Sequence, residues 1–195
     1  MGAPAFKIPF ASARPAGPLT RKFMQFTQPT GVERFFDKGD IIVSKTDLKG
    51  HITYANKVFL DIASLSEREV IGAPHSLIRH PDMPRCIFKL FWDTLAEGRE
   101  IFAYVVNMAK TGDHYWVFAH VTPTFDADGK ITGYHSNRRV PEKHVMPVIT
   151  ELYGKLLAEE NRHSDRKQGM AASEAMLKDM LKSKGVGYDE FIFSL

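Results

Sequence analysis

Ser76-Leu-Ile-Arg-His-Pro-Asp-Met-Pro84 sets a cation, an imidazole and a carboxylate within four residues: Arg79, His80 and Asp82, with His75 one turn earlier. Such a cluster supplies charge-assisted hydrogen bonds, the chemistry that holds an anionic ligand. Two structural readings stand beside it. Arg79 can clasp Asp82 across the proline kink, and Asp82 can N-cap a helix starting near Met83–Pro84, since proline is tolerated in a first turn.

Two further polar residues sit in apolar runs. Asn107, in "IFAYVVNMA", needs hydrogen-bond partners if buried, and is otherwise a solvent-facing edge residue. In the last predicted strand Gly133, His135 and Asn137 alternate with Tyr134, Ser136 and Arg138. If Gly133 marks a close backbone approach, His135 looks inward. It would then meet a ligand edge, ligate a haem iron, or be a core histidine satisfied by backbone.

Several chemistries are excluded. The one cysteine, Cys86, cannot form a disulfide within the chain or build a zinc or iron–sulfur site, and it fits a reducing compartment. No G-x-S-x-G, H-E-x-x-H, P-loop or C-x-x-C-H occurs, so neither an enzyme nor a covalent haem protein is expected. The net charge of +3 comes without a dense Lys/Arg cluster interleaved with aromatics, which argues against nucleic-acid binding. No apolar run reaches the roughly 18–20 residues of a membrane span, and the start lacks the apolar core of a signal peptide. A cytoplasmic location is expected.

The 195 residues, 44% of them apolar, suit one domain with extensions. Residues 1–30 are rich in Pro, Ala and Gly and read as an arm. "GVERFFDK" reads as a short helix packing Phe35 and Phe36, which completes an N-terminal segment of 1–39. Five strands follow at about 40–46, 51–55, 100–110, 113–124 and 130–139. "DLKGHIT" and "DADGKIT" repeat one turn grammar, and short turns require antiparallel pairing. Between the second and third strands lie helices. Asn56 caps "KVFLDIA", Ser66 and Glu69 form a capping box, and "PRCIFKLFWDTLAEG" carries the stripe Ile87, Phe91, Leu95 with Trp92 beside it.

On the fourth strand Tyr115, Val117, Ala119 and Val121 share one face, suited to the floor of a pocket for a flat ligand. Trp116, Phe118 and His120 share the other, to be covered by the N-terminal segment or a dimer partner. Residues 141–195 read as helical. Pro147 is expected to kink the first helix, and Met176, Leu177, Met180 and Leu181 make a stripe for a partner helix, a self-dimer or packing on the sheet.

This order of elements, with "TDLKGHITYAN", "VIGAPHSLIRHPDMP", "FWDTLAEG", "KTGDHYWV" and "GKITGYHSNRR", resembles a PAS domain over residues 40–140, most closely that of bacterial aerotaxis receptors. The resemblance implies an α+β PAS fold: a five-stranded antiparallel sheet with helices over one face and a pocket between them. It also implies non-covalent FAD in the pocket, whose redox state drives a signal. His75, Arg79, His80 and Asp82 fall on the family's histidine, arginine, histidine and aspartate, and Trp92 on its helix tryptophan. Asn107 falls where flavin-binding relatives meet the ring's polar edge. Ile101 stands where the family has a tryptophan tied to flavin binding.

Light-sensing relatives carry a reactive cysteine where this chain has "LIRHPD", so a photoadduct through Cys86 is not expected. The expectation is a PAS sensor or adaptor reporting redox or oxygen state to a chemoreceptor-type or kinase-type partner, as a homodimer. The alternatives are a haem b gas sensor, with His135 as first ligand and His75 or His80 next, and a ligand-free interaction module. The chain carries no segment resembling the receptors' membrane helices or signalling hairpin, so a stand-alone sensor is expected.

Overall fold

The computed structural model describes residues 27–195. The proline-rich arm expected over residues 1–30 falls, up to residue 26, outside the described residues. From there the chain builds by local rules. Strands β1 (Ile42–Thr46) and β2 (Ile52–Ala55) flank a turn in which Asp47 Oδ1 accepts the N–H groups of Lys49 and His51, each at 2.8 Å. Asp126 does the same for Asp128 and Lys130 between β4 (His114–Phe125) and β5 (Ile131–Arg139). Gly50 and Gly129 both take φ of 77°, the left-handed region that glycine enters without strain.

Asn56 caps α1 (Lys57–Ala63), its Oδ1 accepting from Phe59 N at 3.1 Å. The same side chain accepts from Val43 N and donates to Ile41 O, stitching helix to strand. Glu69 of α2 (Glu67–Val70) returns to Ser66 N at 3.0 Å, as the capping-box spacing implies. A 3-10 turn (His75–Ile78) and α3 (Arg85–Ala96) follow, then β3 (Ile101–Met108). The sheet order is β2-β1-β5-β4-β3 and every neighbouring pair is antiparallel.

Tyr115, Val117, Ala119 and Val121 of β4 form the inner face, beneath α1, the 3-10 turn and α3, while Trp116, Phe118 and His120 turn outward. The outer face is covered differently from expectation. The chain after β5 folds into α4 (Met146–Asn161), α5 (Arg166–Lys184) and α6 (Tyr188–Phe193), and these helices pack back on the molecule. Tyr153 of α4 donates its hydroxyl to Tyr104 O at 2.6 Å and lies against Trp116; Phe193 of α6 meets Phe102 edge-on at 4.7 Å. Helices therefore lie on both faces of the sheet. Leu177 and Phe191 enter the core, each burial stabilising by about 2 kcal/mol. The apolar stripe of α5 is thus engaged within the chain, with Met176 left at the surface.

Two local expectations change. Pro147 lies in the first turn of α4, where its missing N–H has no helical partner to lose, so it starts the helix without kinking it. Residues 31–38 form no helix. β5 ends opposite Phe118, which leaves His114 with an open edge, and the segment fills it: His114 N donates to Val32 O at 2.9 Å and Arg34 N to His114 O at 2.7 Å. Phe36 packs on the core and Phe35 is exposed.

Candidate functional site

The inner sheet face and the helical insert enclose a cavity of about 150 Å³. Its floor is Val105, Ala119 and Val121, residues too short to fill the gap to α3. Its roof is Phe88, Phe91, Trp92 and Leu95 of α3. The polar groups lie toward β1 and β5: Ser44, Thr46, Ser136 and Arg138 from the strands, His75 and Arg79 from the insert, and Asn107 from β3.

Arg138 dominates the electrostatics. It is 3% exposed, and no carboxylate among the described residues lies within ion-pair reach of it. Nε donates to Ser136 Oγ at 3.0 Å; Nη2 donates to Ser44 Oγ and to His75 Nε2, the latter at 2.8 Å; Nη1 has no partner among the described residues. The guanidinium also lies 5.4 Å over the Phe59 ring. Burial pushes its pKa down to about 10, so it stays charged at neutral pH. Burial, and then the charge of Arg138, push His75 down to about 3, leaving a neutral imidazole whose Nε2 accepts a hydrogen bond from the guanidinium.

Arg79 stacks over Phe88 at 4.2 Å and reaches Met83 O at 3.4 Å, while its backbone bridges Asn107. Burial lowers its pKa. Asn107 is 4% exposed, which removes the solvent-edge reading. Trp92 stands at the mouth, 43% exposed, its ring edge-on to Tyr134 at 5.4 Å between centroids. His75, Arg79, Trp92 and Asn107 are thus brought together around one cavity.

Three expected residues are not. His80 is buried, but its ring meets His114 edge-on and its Nδ1 accepts from Asp82 N at 3.1 Å, away from the cavity lining. Asp82 leaves most of its side chain in solvent, faces His80 at 3.7 Å rather than Arg79, and caps nothing; Pro84 occupies the cap position of α3. His135 points to the outer face. The hairpin pairs Phe125 with Ile131 but Thr124 with Gly133, so Thr132 is an extra residue, and the register beyond it moves by one. One residue of slip exchanges the two faces of a strand. Ser136, not His135, then lies opposite Val121, and Arg138 opposite Ala119. Gly133 does mark a close approach: a Cβ there would sit 2.3 Å from Thr46 O.

The haem alternative loses its first ligand with that shift. His75 offers only an Nε2 already held by Arg138 and Ser44. Cys86 lies outside the cavity lining, and burial pushes its thiol up to about 11, which keeps it inert. Arg138, Ser44, Thr46 and Ser136 are the groups that sequence reasoning missed. The one signal was an arginine inside a strand, and its face depended on the bulge.

A flavin can be tested against these residues. A flat apolar slot with small floor residues, an orphaned Arg138 Nη1 and Thr46 Oγ1, and an inward Asn107 suit a planar ring with a polar edge. A volume near 150 Å³ holds about one aromatic ring, so a three-ring system requires the mouth at Trp92 and Phe91 to swing outward.

Comparison with known proteins agrees with the fold. Residues 52–138 match the family model described as PAS fold. The chain is 39% identical over 117 residues to the aerotaxis receptor of Escherichia coli K12, a match covering 60% of this chain and 23% of the receptor. It is 26% identical over 103 residues to the nitrogen fixation regulatory protein of Klebsiella pneumoniae, covering 53% of this chain and 21% of the regulator. The chain therefore spans less than a quarter of the length of these curated relatives. Among solved structures, the light state of the blue-light photoreceptor Aureochrome1 LOV superposes with a TM-score of 0.50 at 22% identity, covering 56% of this chain and 89% of that one. Among the described residues no helix is long and apolar enough to cross a membrane.

Proposed function

Because residues 52–138 are a PAS fold similar in sequence to that of an aerotaxis receptor, we propose that the chain is a sensor that binds FAD non-covalently in the cavity and reports redox or oxygen state to a protein partner. The observation that carries this reading is the cavity itself: small residues under an apolar roof, with unsatisfied polar groups gathered at one end. Residues filling a plain core would close that gap, and a buried cation would not face it.

Bound flavin would supply two-electron redox chemistry to the site. The chain's own residues do the rest. Val105, Ala119 and Val121 give a flat seat. Asn107 offers a donor and an acceptor to a polar ring edge, and Arg138 offers a fixed positive charge. Arg79, near the mouth and braced on Phe88, offers a cation to a phosphate. Trp92 limits access of water. His80, Asp82 and His135 have no direct part in this reading.

The output runs through the helices that touch both cavity and sheet. α3 forms the roof, and its first turn is tied to α4 and α5. A change of charge at Arg138 or Asn107 shifts the roof, and the C-terminal helices follow. The partner is a signalling protein of chemoreceptor or kinase type, and homodimerisation belongs to the same proposal. The absorption spectrum of freshly purified full chain, supplied with FAD, tests the cofactor. A flavin band in the blue that dithionite bleaches supports it. A Soret band, or no band after supplementation, overturns it.

A further inference from the structure

We propose that the cavity, closed as it stands, is a binding site for a monocyclic aromatic carboxylate, and that such an acid and a flavin exclude each other from it. The inference goes beyond the flavin reading. It concerns the closed cavity, which a three-ring system has to force open, and it does not depend on whether flavin binds.

Size sets the first limit on the ligand. A cavity of about 150 Å³ with apolar walls is large enough for one benzene ring. Val105, Ala119 and Val121 form one wall and Phe88, Phe91 and Trp92 the other, so a planar ring lies between two apolar surfaces. The aromatic side chains of the second wall favour an aromatic guest through offset and edge-on contacts.

Charge sets the second limit. Arg138 brings a buried positive charge to the lining, and no carboxylate among the described residues lies within ion-pair reach of it. Ser136 accepts from Nε, and Ser44 and His75 accept from Nη2, but none of the three carries a negative charge. Nη1 keeps both of its N–H donors, and Thr46, which also lines the cavity, leaves its hydroxyl without a partner among the described residues. Arg138 has already lost its hydration on folding. An anion brought beside it therefore gains the ion pair against the desolvation of one partner only. A water molecule in the same place satisfies a donor and brings no charge. Arg79, the other cation of the lining, is braced on Phe88 and Met83 O.

The two ends of the cavity thus specify the two parts of one ligand: an apolar ring of benzene size and one ionised carboxylate. Acetate has the charge without the ring, and toluene has the ring without the charge.

The test is isothermal titration of the full chain, without bound flavin, with sodium benzoate, acetate and toluene as separate probes. Benzoate is expected to saturate one site and to bind at least tenfold more tightly than either partial probe, a comparison that needs no variant to fold. Arg138→Gln is expected to lose at least tenfold in benzoate affinity and to keep toluene. Ala119→Leu, which fills the ring seat, is expected to lose both. Benzoate is also expected to raise the apparent Kd of FAD in proportion to its concentration. No binding of benzoate at about 10 mM would overturn the proposal. So would acetate binding as tightly as benzoate, which marks an adventitious ion only, or an unchanged benzoate affinity in folded Arg138→Gln or Ala119→Leu. FAD binding that benzoate leaves unaltered overturns the mutual exclusion. A chain that takes benzoate but no FAD overturns the flavin reading alone.

Discussion

Glu160 caps α3 from 74 residues away: its carboxylate, on α4, accepts the backbone N–H of Cys86 in the helix's first turn at 2.9 Å. The helix needs this, because Pro84 at its cap position has no side-chain acceptor and Asp82 faces solvent. Arg85 Nε at 2.8 Å and Ser173 Oγ at 3.0 Å complete the carboxylate's shell, so α3, α4 and α5 meet at one buried group. Close packing seals the junction, since a Cβ on Gly169 would lie 2.3 Å from Glu160 O.

Removing that carboxylate should loosen the C-terminal helices from the sensor. Glu160→Ala leaves the Cys86 N–H and Arg85 Nε without their acceptor, while Ser173 falls back on Met170 O, and an expected loss of about 3 kcal/mol should appear in urea unfolding. Glu160→Gln, which keeps one acceptor, should lose less. Equal and small losses for both would show that the cap is unimportant.

The cavity floor gives a test that separates ligand binding from folding. Ala119→Leu adds volume to a gap and not to a filled core. FAD affinity should drop at least a hundredfold, while stability changes by less than about 1.5 kcal/mol. A large loss of Tm with FAD retained would place the ligand elsewhere.

Residues of the "RHPD" run should divide. Arg79→Ala is expected to weaken FAD tenfold or more in a folded domain, because Arg79 lines the cavity. Asp82→Ala and His135→Ala should stay within twofold, since neither side chain is part of the lining. Isothermal titration of the three variants checks the division, and a strong effect at His135 would contradict the observed register.

Acid should act through His75. Its folded pKa near 3 lies below the ordinary value of 6.5, so the unfolded chain binds the extra proton. This contribution to stability is present above pH 6.5 and is lost as pH falls toward 3, at up to about 1.4 kcal/mol per pH unit. His75→Gln, measured by urea unfolding across that range, should show a shallower decline.

How much of this was visible in the sequence depends on the range of the forces involved. The paired turns at Asp47–Gly50 and Asp126–Gly129, the Asn56 cap and the Ser66–Glu69 box are set by residues within a few positions of each other, and the sequence shows them directly. The inward face of β4 was legible for the same reason, because alternation is local. The face of β5 was not: it turns on Thr132 being extruded beside a backbone contact between Gly133 and Thr46, which belongs to the assembled sheet. That single residue hid Arg138 and misplaced His135. The α5 stripe was equally ambiguous, since an apolar face has no preference between its own sheet and another molecule. Asp82 looked like a cap because the true acceptor, Glu160, comes from another helix.

The bond from Tyr153 to Tyr104 O has a consequence for mass action. A segment tethered to its own docking surface acts at an effective concentration in the millimolar range. A second copy or partner present at micromolar levels therefore competes for the outer sheet face at a disadvantage of about a thousandfold. Assembly through that face becomes a question of how often α4 and α6 let go, and any signal that lowers their grip by a few kcal/mol converts a monopolised surface into an available one.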